Sequence, residues 1–222
     1  HCAFGTLAAL MERQKSGKGQ IVQGALLATA LSFTNATLIE QAVIAANRVP
    51  TGNRGQTTAP SDIYRAKDGW VLCQVTGQPL FDRWAKLMGE DDWLTDSRFA
   101  DDLKRGENGA AISARMGRWC AERTTQDAVD TLARAKIPAA PVLSPQQALD
   151  HPHVQAGGFL QAMDYPGLAN PAPVSRVALK LSRTPGEIHD RAPLLGEHTK
   201  EVLGALGYGE ATIASLREQG VI

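Results

Sequence analysis

The sequence predicts a mixed α/β fold, with α+β as the alternative, on three observations. Asp68-Gly69 stands between two β-rich runs, 62–66 and 70–75, and an Asp-Gly step in that setting marks a tight hairpin. Ile112, Met116, Trp119 and Cys120 fall at i, i+4, i+7 and i+8, the spacing of one buried helix face. Residues 24–47 are an Ala- and Leu-rich stretch that reads as one long buried helix.

The other elements follow in order. Residues 3–14 form a helix with Ala3, Leu7, Leu10 and Met11 on one face, stopped by Gly17 and Gly19. Residues 20–23 are extended. Residues 48–61 form a polar loop punctuated by Pro50, Gly52, Gly55 and Pro60. At about a dozen residues it exceeds the usual connection, so it is a linker or a functional loop. Beyond the hairpin, 79–88 form a helix with Leu80, Trp84, Leu87 and Met88 inward and Gly89 as its C-cap. Thr124-Thr125-Gln126-Asp127 resembles a capping box opening a helix that buries Val129, Leu132 and Ala133. Residues 137–143 carry Pro138 and Pro141; proline cannot donate to a ladder, so this is an edge strand. Ser144-Pro145 opens a short helix. Residues 150–195 are irregular, with a strand candidate at 174–181. Helices at 197–206 and 211–219 are stopped by Gly207 and Gly220.

Composition narrows the function classes. Lys plus Arg and Asp plus Glu both number 23, so no net charge suggests a nucleic-acid partner. No apolar run reaches the roughly 18 residues of a membrane span. Cys2, Cys73 and Cys120 are too sparse for a disulfide scaffold or a metal set and fit a reducing cytoplasmic setting. Ser16-Gly17-Lys18-Gly19 lacks the phosphate-loop form and follows a helix rather than a strand. His151 and His153 lack further ligand partners, and His198 reads as a capping or packing residue. The chain opens at His1 without methionine and enters an apolar helix directly, which reads as an interior cut.

Four stretches, in order, resemble the class III (CaiB/BaiF-type) coenzyme A transferases. Residues 5–20, GTLAALMERQKSGKGQ, are similar to a GxLAALxxR helix followed by an (S/T)GxGQ turn. Gly52-Asn53-Arg54, Ala59-Pro60, Tyr64 and Asp68-Gly69-Trp70 resemble a GNR…AP…xY…DGW pattern. Residues 137–142, IPAAPV, resemble an (I/V)PxxPV strand. Residues 192–208 resemble a PxLGEHTxxVLxxLGY ending.

The resemblance implies a CoA-transferase family III fold, with the end of a Rossmann-like large domain, a small α/β domain, and two chains interlocked as a homodimer. On that plan 1–47 end the large domain's first pass, and 48–61 are a linker or active-site loop. Residues 62–143 make the small domain, and 144–222 are the return segment with C-terminal helices. The implied reaction moves coenzyme A between carboxylic acids. An aspartate attacks the acyl-CoA thioester to give a mixed anhydride, and an aspartyl-CoA thioester then passes CoA to the acceptor acid. The family's aspartate precedes the GxLAALxxR helix, so its expected position lies upstream of His1. No catalytic residue is assigned within the chain, which by itself is expected to be inactive. No tightly bound cofactor or metal is implied; acyl-CoA and a carboxylic acid are the substrates.

Candidate pocket residues are His1, at the start of that helix, Asn53, Arg54, Gly55 and Gln56 in the loop, and Gln78. Arg54 has the charge to pair with a carboxylate or phosphate. Gln78 stands where the related α-methylacyl-CoA racemases carry a glutamate, and an amide cannot serve as acid or base. A racemase of this fold and a non-catalytic dimerisation or scaffold module are the alternatives. A self-contained module predicts buried apolar faces, whereas the CoA-transferase reading predicts exposed ones on 1–47 and 190–222.

Overall fold

The computed structural model describes residues 1–222, and they divide into two units, His1–Val142 and Leu143–Ile222. The first unit opens with α1 (Cys2–Ser16), which ends at Gly17 in the left-handed conformation (φ 71°) that glycine adopts without a Cβ clash. The stretch expected to be one long helix is two, α2 (Leu26–Phe33) and α3 (Asn35–Ile44). The break has a local cause. Ser32 and Thr34 donate their hydroxyls to the carbonyls of Thr29 and Ala30 (2.8 and 3.0 Å), and Thr34 leaves helical geometry at φ −100°, ψ 7°. Such bonds compete with the backbone ladder and bend helices.

The expectation of burial for this stretch is also overturned. No residue of α1, α2 or α3 is buried, and Phe4, Leu26 and Phe33 are 79%, 93% and 81% exposed. Near the other end of the chain, Leu194, Leu195, Val202 and Leu206 are exposed as well. The CoA-transferase reading expects apolar side chains outward on both stretches, and a self-contained module does not.

The hairpin forms where the Asp-Gly step put it. Strands β1 (Ser61–Arg65) and β2 (Trp70–Gln74) pair antiparallel, with Tyr64 opposite Val71. Strand β3 (Ala139–Pro141) joins the far side of β2, giving the order β1-β2-β3 with the proline-bearing strand at an edge. Val71 and Cys73 are buried while Trp70, Leu72 and Gln74 are exposed, the period-two alternation of a sheet with one covered face.

Helices α4 (Gln78–Met88), α5 (Asp102–Glu107), α6 (Gly109–Ala121) and α7 (Thr125–Arg134) complete this unit; α4, α6 and α7 fill its apolar core, while α5 buries Arg105 and Gly106. Helix α6 packs on β1, and α7 on β2 and β3. Ile112, Met116, Trp119 and Cys120 are all buried, as their spacing predicts. In α4 the buried stripe is Phe81, Trp84, Ala85 and Met88, with Leu80 and Leu87 only half-buried. The apolar residues of this helix share one broad face, with the buried stripe at its centre and Leu80 and Leu87 at its edge. Helix α7 buries Ala128 and Leu132, leaves Val129 half-buried and exposes Ala133. Its N-cap Thr124 accepts a bond from the Asp127 amide at 3.2 Å.

Phe81, Trp84, Trp93 and Phe99 form a chain of ring contacts with centroids 4.6–6.2 Å apart. Burial pushes the Cys73 thiol up to about 12 and the Cys120 thiol up to about 11, so both stay protonated core residues.

The second unit holds α8 (Pro145–Asp150), α9 (Pro152–Gly157), a two-stranded antiparallel sheet of β4 (Leu160–Met163) and β5 (Ala172–Ser175), α10 (Thr199–Ala205) and α11 (Glu210–Glu218). Ser144 and Gln147 form a reciprocal capping box on α8. The strand expected at 174–181 ends at Ser175, because β4 offers pairing only from Leu160 to Met163; Val177, Leu179 and Leu181 lie beyond the ladder and are exposed. His198 occupies the N-cap position of α10 without capping it. Its ring is exposed and stands 3.1 Å from Glu201. The turn before α10 is held instead by Glu197, which accepts bonds from Arg191 (2.5 and 2.8 Å) and from the Leu194 amide (2.7 Å). Those bonds hold the Glu197 carboxyl at about 2, well below the usual range.

Candidate functional site

The loop between α3 and β1 is built from both ends inward. Its C-terminal half is sealed into the first unit. Thr58, Ala59 and Pro60 are buried, and the Val75 amide donates to the Pro60 carbonyl at 2.8 Å. The Thr58 hydroxyl donates to the Val75 carbonyl (2.6 Å) and to Asp102 (3.2 Å). At Gly106 in α5 an added Cβ would stand 2.3 Å from the Gln56 carbonyl oxygen and 2.9 Å from the Thr57 carbonyl carbon. The absent side chain therefore lets helix and loop backbones touch.

Asp102 and Arg105 form the hub beneath this loop. Asp102 accepts bonds from the Gly77 amide (2.8 and 3.0 Å), the Thr58 hydroxyl and two nitrogens of Arg105 (2.8 and 3.3 Å). Arg105 is 1% exposed; it also donates to the Phe99 carbonyl and the Gln78 side-chain oxygen, each at 2.8 Å, and lies 4.6 Å over the Phe81 ring. Partial burial opposes ionisation of Asp102, but the bonds from Arg105, Gly77 and Thr58 outweigh it and keep its carboxyl below the ordinary carboxylate range.

A pH dependence follows. A carboxyl whose pKa is lower in the folded than in the unfolded chain stabilises the fold fully above the unfolded value, about 3.9 for aspartate, and loses that contribution as pH falls through the folded value. The stability difference between wild type and Asp102→Asn, from denaturant midpoints, is expected to be largest near neutral pH and to shrink below about pH 4. An equal difference at pH 7 and pH 3 would contradict it.

The candidate residues separate into two places. Asn53 is exposed at the loop tip beside Gly52, whose φ of +68° suits glycine. Arg54 is half-buried, its Nε shielded from solvent and without a hydrogen-bond partner. The Gly55 amide donates to the Ser61 carbonyl at 2.7 Å. Gln56 turns its amide inward to the Val49 carbonyl (2.8 Å) and Thr51 hydroxyl (3.4 Å). Gln78, exposed at the start of α4, is committed at both ends: its oxygen accepts from Arg105 and its nitrogen donates to Asp82 at 2.7 Å. The Asp102–Arg105 hub thus joins Gln78 to the loop. His1 makes its contacts elsewhere, with Nδ1 3.1 Å from the Thr29 hydroxyl and its ring stacked on Phe33.

The tip offers an amide and a guanidinium for recognising a carboxylate or phosphate and supplies no proton-transfer group. No three His, Cys, Asp or Glu side chains are grouped to hold a metal ion.

Sequence reasoning missed Asp102 and Arg105, as well as a bidentate pair between Glu40 and Arg48. The i, i+3 spacing of Asp102 and Arg105 is their only signal, and it equally describes a solvated helix pair.

Comparison with known proteins places these features in context. The family description CoA-transferase family III matches residues 1–199. The chain is 31% identical over 222 residues to succinyl-CoA–D-citramalate CoA-transferase of Chloroflexus aurantiacus, covering 99% of this chain and 55% of that protein. It is 28% identical to formyl-CoA:oxalate CoA-transferase of Rhodopseudomonas palustris, covering 100% and 57%. The chain therefore spans about half the length of these relatives. Among solved structures it resembles Rv3272 from M. tuberculosis, with a TM-score of 0.70, 23% identity, and 88% of this chain and 51% of that one covered. It also resembles a CAIB/BAIF family protein from Brucella suis, with a TM-score of 0.67, 23% identity, and coverage of 91% and 52%.

Proposed function

Because this chain belongs to CoA-transferase family III, we propose that its protein transfers coenzyme A from an acyl-CoA donor to a carboxylic acid acceptor. The observation that carries this reading is the family match across residues 1–199. The reaction proceeds through covalent carboxylate catalysis. An aspartate carboxylate attacks the donor thioester carbonyl and expels CoA thiolate, leaving a mixed anhydride. The thiolate attacks the aspartyl carbonyl of that anhydride, releases the donor acid and forms an aspartyl-CoA thioester. The acceptor carboxylate attacks this thioester to form a second anhydride and free the thiolate. Attack of the thiolate on the acceptor acyl carbon gives the new acyl-CoA and restores the aspartate.

In the family pattern the nucleophile precedes the helix equivalent to α1. The residues described here supply surroundings: Asn53 and Arg54 border the thioester site, with Arg54 facing an anionic group of a substrate. The 222 residues by themselves are proposed to lack turnover. The complete protein is proposed to be a cytoplasmic homodimer with interlocked chains. Residues 1–47 and 144–222 would belong to its large domain, 62–143 to its small one, and 48–61 to the loop between them.

The test is an exchange assay on the complete gene product with a panel of acyl-CoA donors and carboxylate acceptors. New acyl-CoA is expected to form only when an acceptor acid is present, and the released donor acid is expected to carry one oxygen from an enzyme carboxylate. Deuterium uptake α to the thioester without an acceptor acid would overturn the transferase reading in favour of a racemase.

A further inference from the structure

The loop that carries Asn53 and Arg54 is closed at its neck by side chains. Arg48 donates Nε and Nη2 to the two oxygens of Glu40 in α3, each at 2.5 Å, and Nη1 to the Gln56 carbonyl at 3.2 Å. Gln56 returns the tie across the neck by donating to the Val49 carbonyl at 2.8 Å. Inside the ring so formed, the Thr51 hydroxyl donates to the Arg54 carbonyl at 2.7 Å, and the Arg54 amide donates to the Thr51 carbonyl at 3.4 Å. Residues 48–56 thus form a compact loop whose ends meet and whose interior is filled by its own polar groups.

The clasp stands on a groove of about 650 Å³ lined by Thr37, Glu40, Arg48, Val49, Gln56 and Thr57. The Arg48 and Glu40 side chains are 21% and 25% exposed. A bidentate guanidinium–carboxylate pair that is mostly shielded fixes direction as well as distance. Arg48 thus ties the neck both to α3 and to Gln56, beside the Asn47–Gln41 bonds at its stem, the Gly55–Ser61 backbone bond and the backbone contact with Gly106.

We propose that Arg48 is a positioning residue: by bridging Glu40 and the Gln56 carbonyl it closes the neck of the 48–56 loop and so sets where Asn53 and Arg54 meet a bound acyl-CoA. The substrate half of this statement rests on the proposed function; the clasp itself does not. The proposal gives Arg48 and Glu40 no contact with the reacting atoms. Their effect is expected in substrate affinity more than in the chemical step.

The experiment has two arms. The first is amide hydrogen exchange of the complete gene product, followed over peptides covering 47–57 and 61–75. Arg48→Met is expected to speed exchange at the Arg54 and Gly55 amides about tenfold and to leave the hairpin peptides unchanged. Arg48→Lys keeps a cation beside Glu40 but loses the fork, and it should fall between the two. The second arm is steady-state thioester exchange by the complete gene product. Arg48→Met is expected to raise KM for acyl-CoA about tenfold with kcat held within about threefold, and Arg48→Lys to recover part of that loss.

Unchanged loop exchange in Arg48→Met would overturn the clasp. Faster loop exchange with unaltered KM would overturn its role in placing the substrate. Faster loop exchange in a protein whose wild type shows no thioester exchange would remove the proposed function and leave the clasp standing.

Discussion

Replacing Arg105 with methionine is expected to lower the unfolding free energy of the first unit by about 1.5–3 kcal/mol, the range for losing hydrogen bonds to a charged group, since Asp102 keeps a third of its side chain in solvent. Arg105 is 1% exposed and is the common donor to Asp102, Gln78 and the Phe99 carbonyl. Methionine fills much of the same space against Phe81, so most of the loss comes from three acceptors that lose the guanidinium donor. Asp102 suffers most, since the bonds from Gly77 and Thr58 remain while its counter-charge is gone. Guanidinium denaturation followed by the fluorescence of Trp84 and Trp93, which lie in the same aromatic cluster, reads this directly. A loss under about 1 kcal/mol would show that the hub is solvated and that the pair behaves as a surface one.

The second large effect is expected at Gly106. Alanine there places a methyl 2.3 Å from the Gln56 carbonyl oxygen, and that atom belongs to backbone. Either α5 or the loop must move. Overpacking of this kind costs about 1–3 kcal/mol. The loop is the softer element, so the tip shifts and thioester exchange in the complete protein is expected to fall by about tenfold or more, in line with the sensitivity of reactions to misplacements near 1 Å. Gly117, by contrast, lies on α6 with no atom within 4 Å of an added Cβ. Gly117→Ala is therefore the matched control and should leave exchange unaltered.

The two glycines show what the sequence could and could not reveal. Both stand within helices, and nothing in the letters around them separates one from the other. Gly106 matters because residues fifty positions away in the chain pass over it, and such contacts leave no local pattern. The hairpin was legible because its information is local: an Asp-Gly step, alternating runs and a proline-bearing third strand. Asp68 even reaches beyond the turn, accepting the amide and hydroxyl of Thr125 at the start of α7.

The division of residues 24–47 into α2 and α3 was hidden by composition. Ala and Leu favour helix throughout, and the break comes from hydroxyl bonds at Ser32 and Thr34 that only the folded backbone displays. At the candidate site the loop itself was legible from its length and its Gly and Pro punctuation. The roles of its members were not. Gln56, an expected pocket residue, spends its amide on the neck, and Gln78 is held at both ends by Arg105 and Asp82. Asp102, Arg105, Glu40 and Arg48 read as surface charges until their partners are known.

The central claim is that the tip of the 48–56 loop borders the acyl-CoA thioester. Photoaffinity labelling of the complete gene product with a CoA thioester carrying a diazirine in its acyl chain tests it most directly, with labelled peptides mapped by mass spectrometry. The account predicts label on the peptide containing Asn53 and Arg54, displaced by unlabelled acyl-CoA and diminished in Arg48→Met. Label that is competed by acyl-CoA yet absent from residues 50–57 would contradict it.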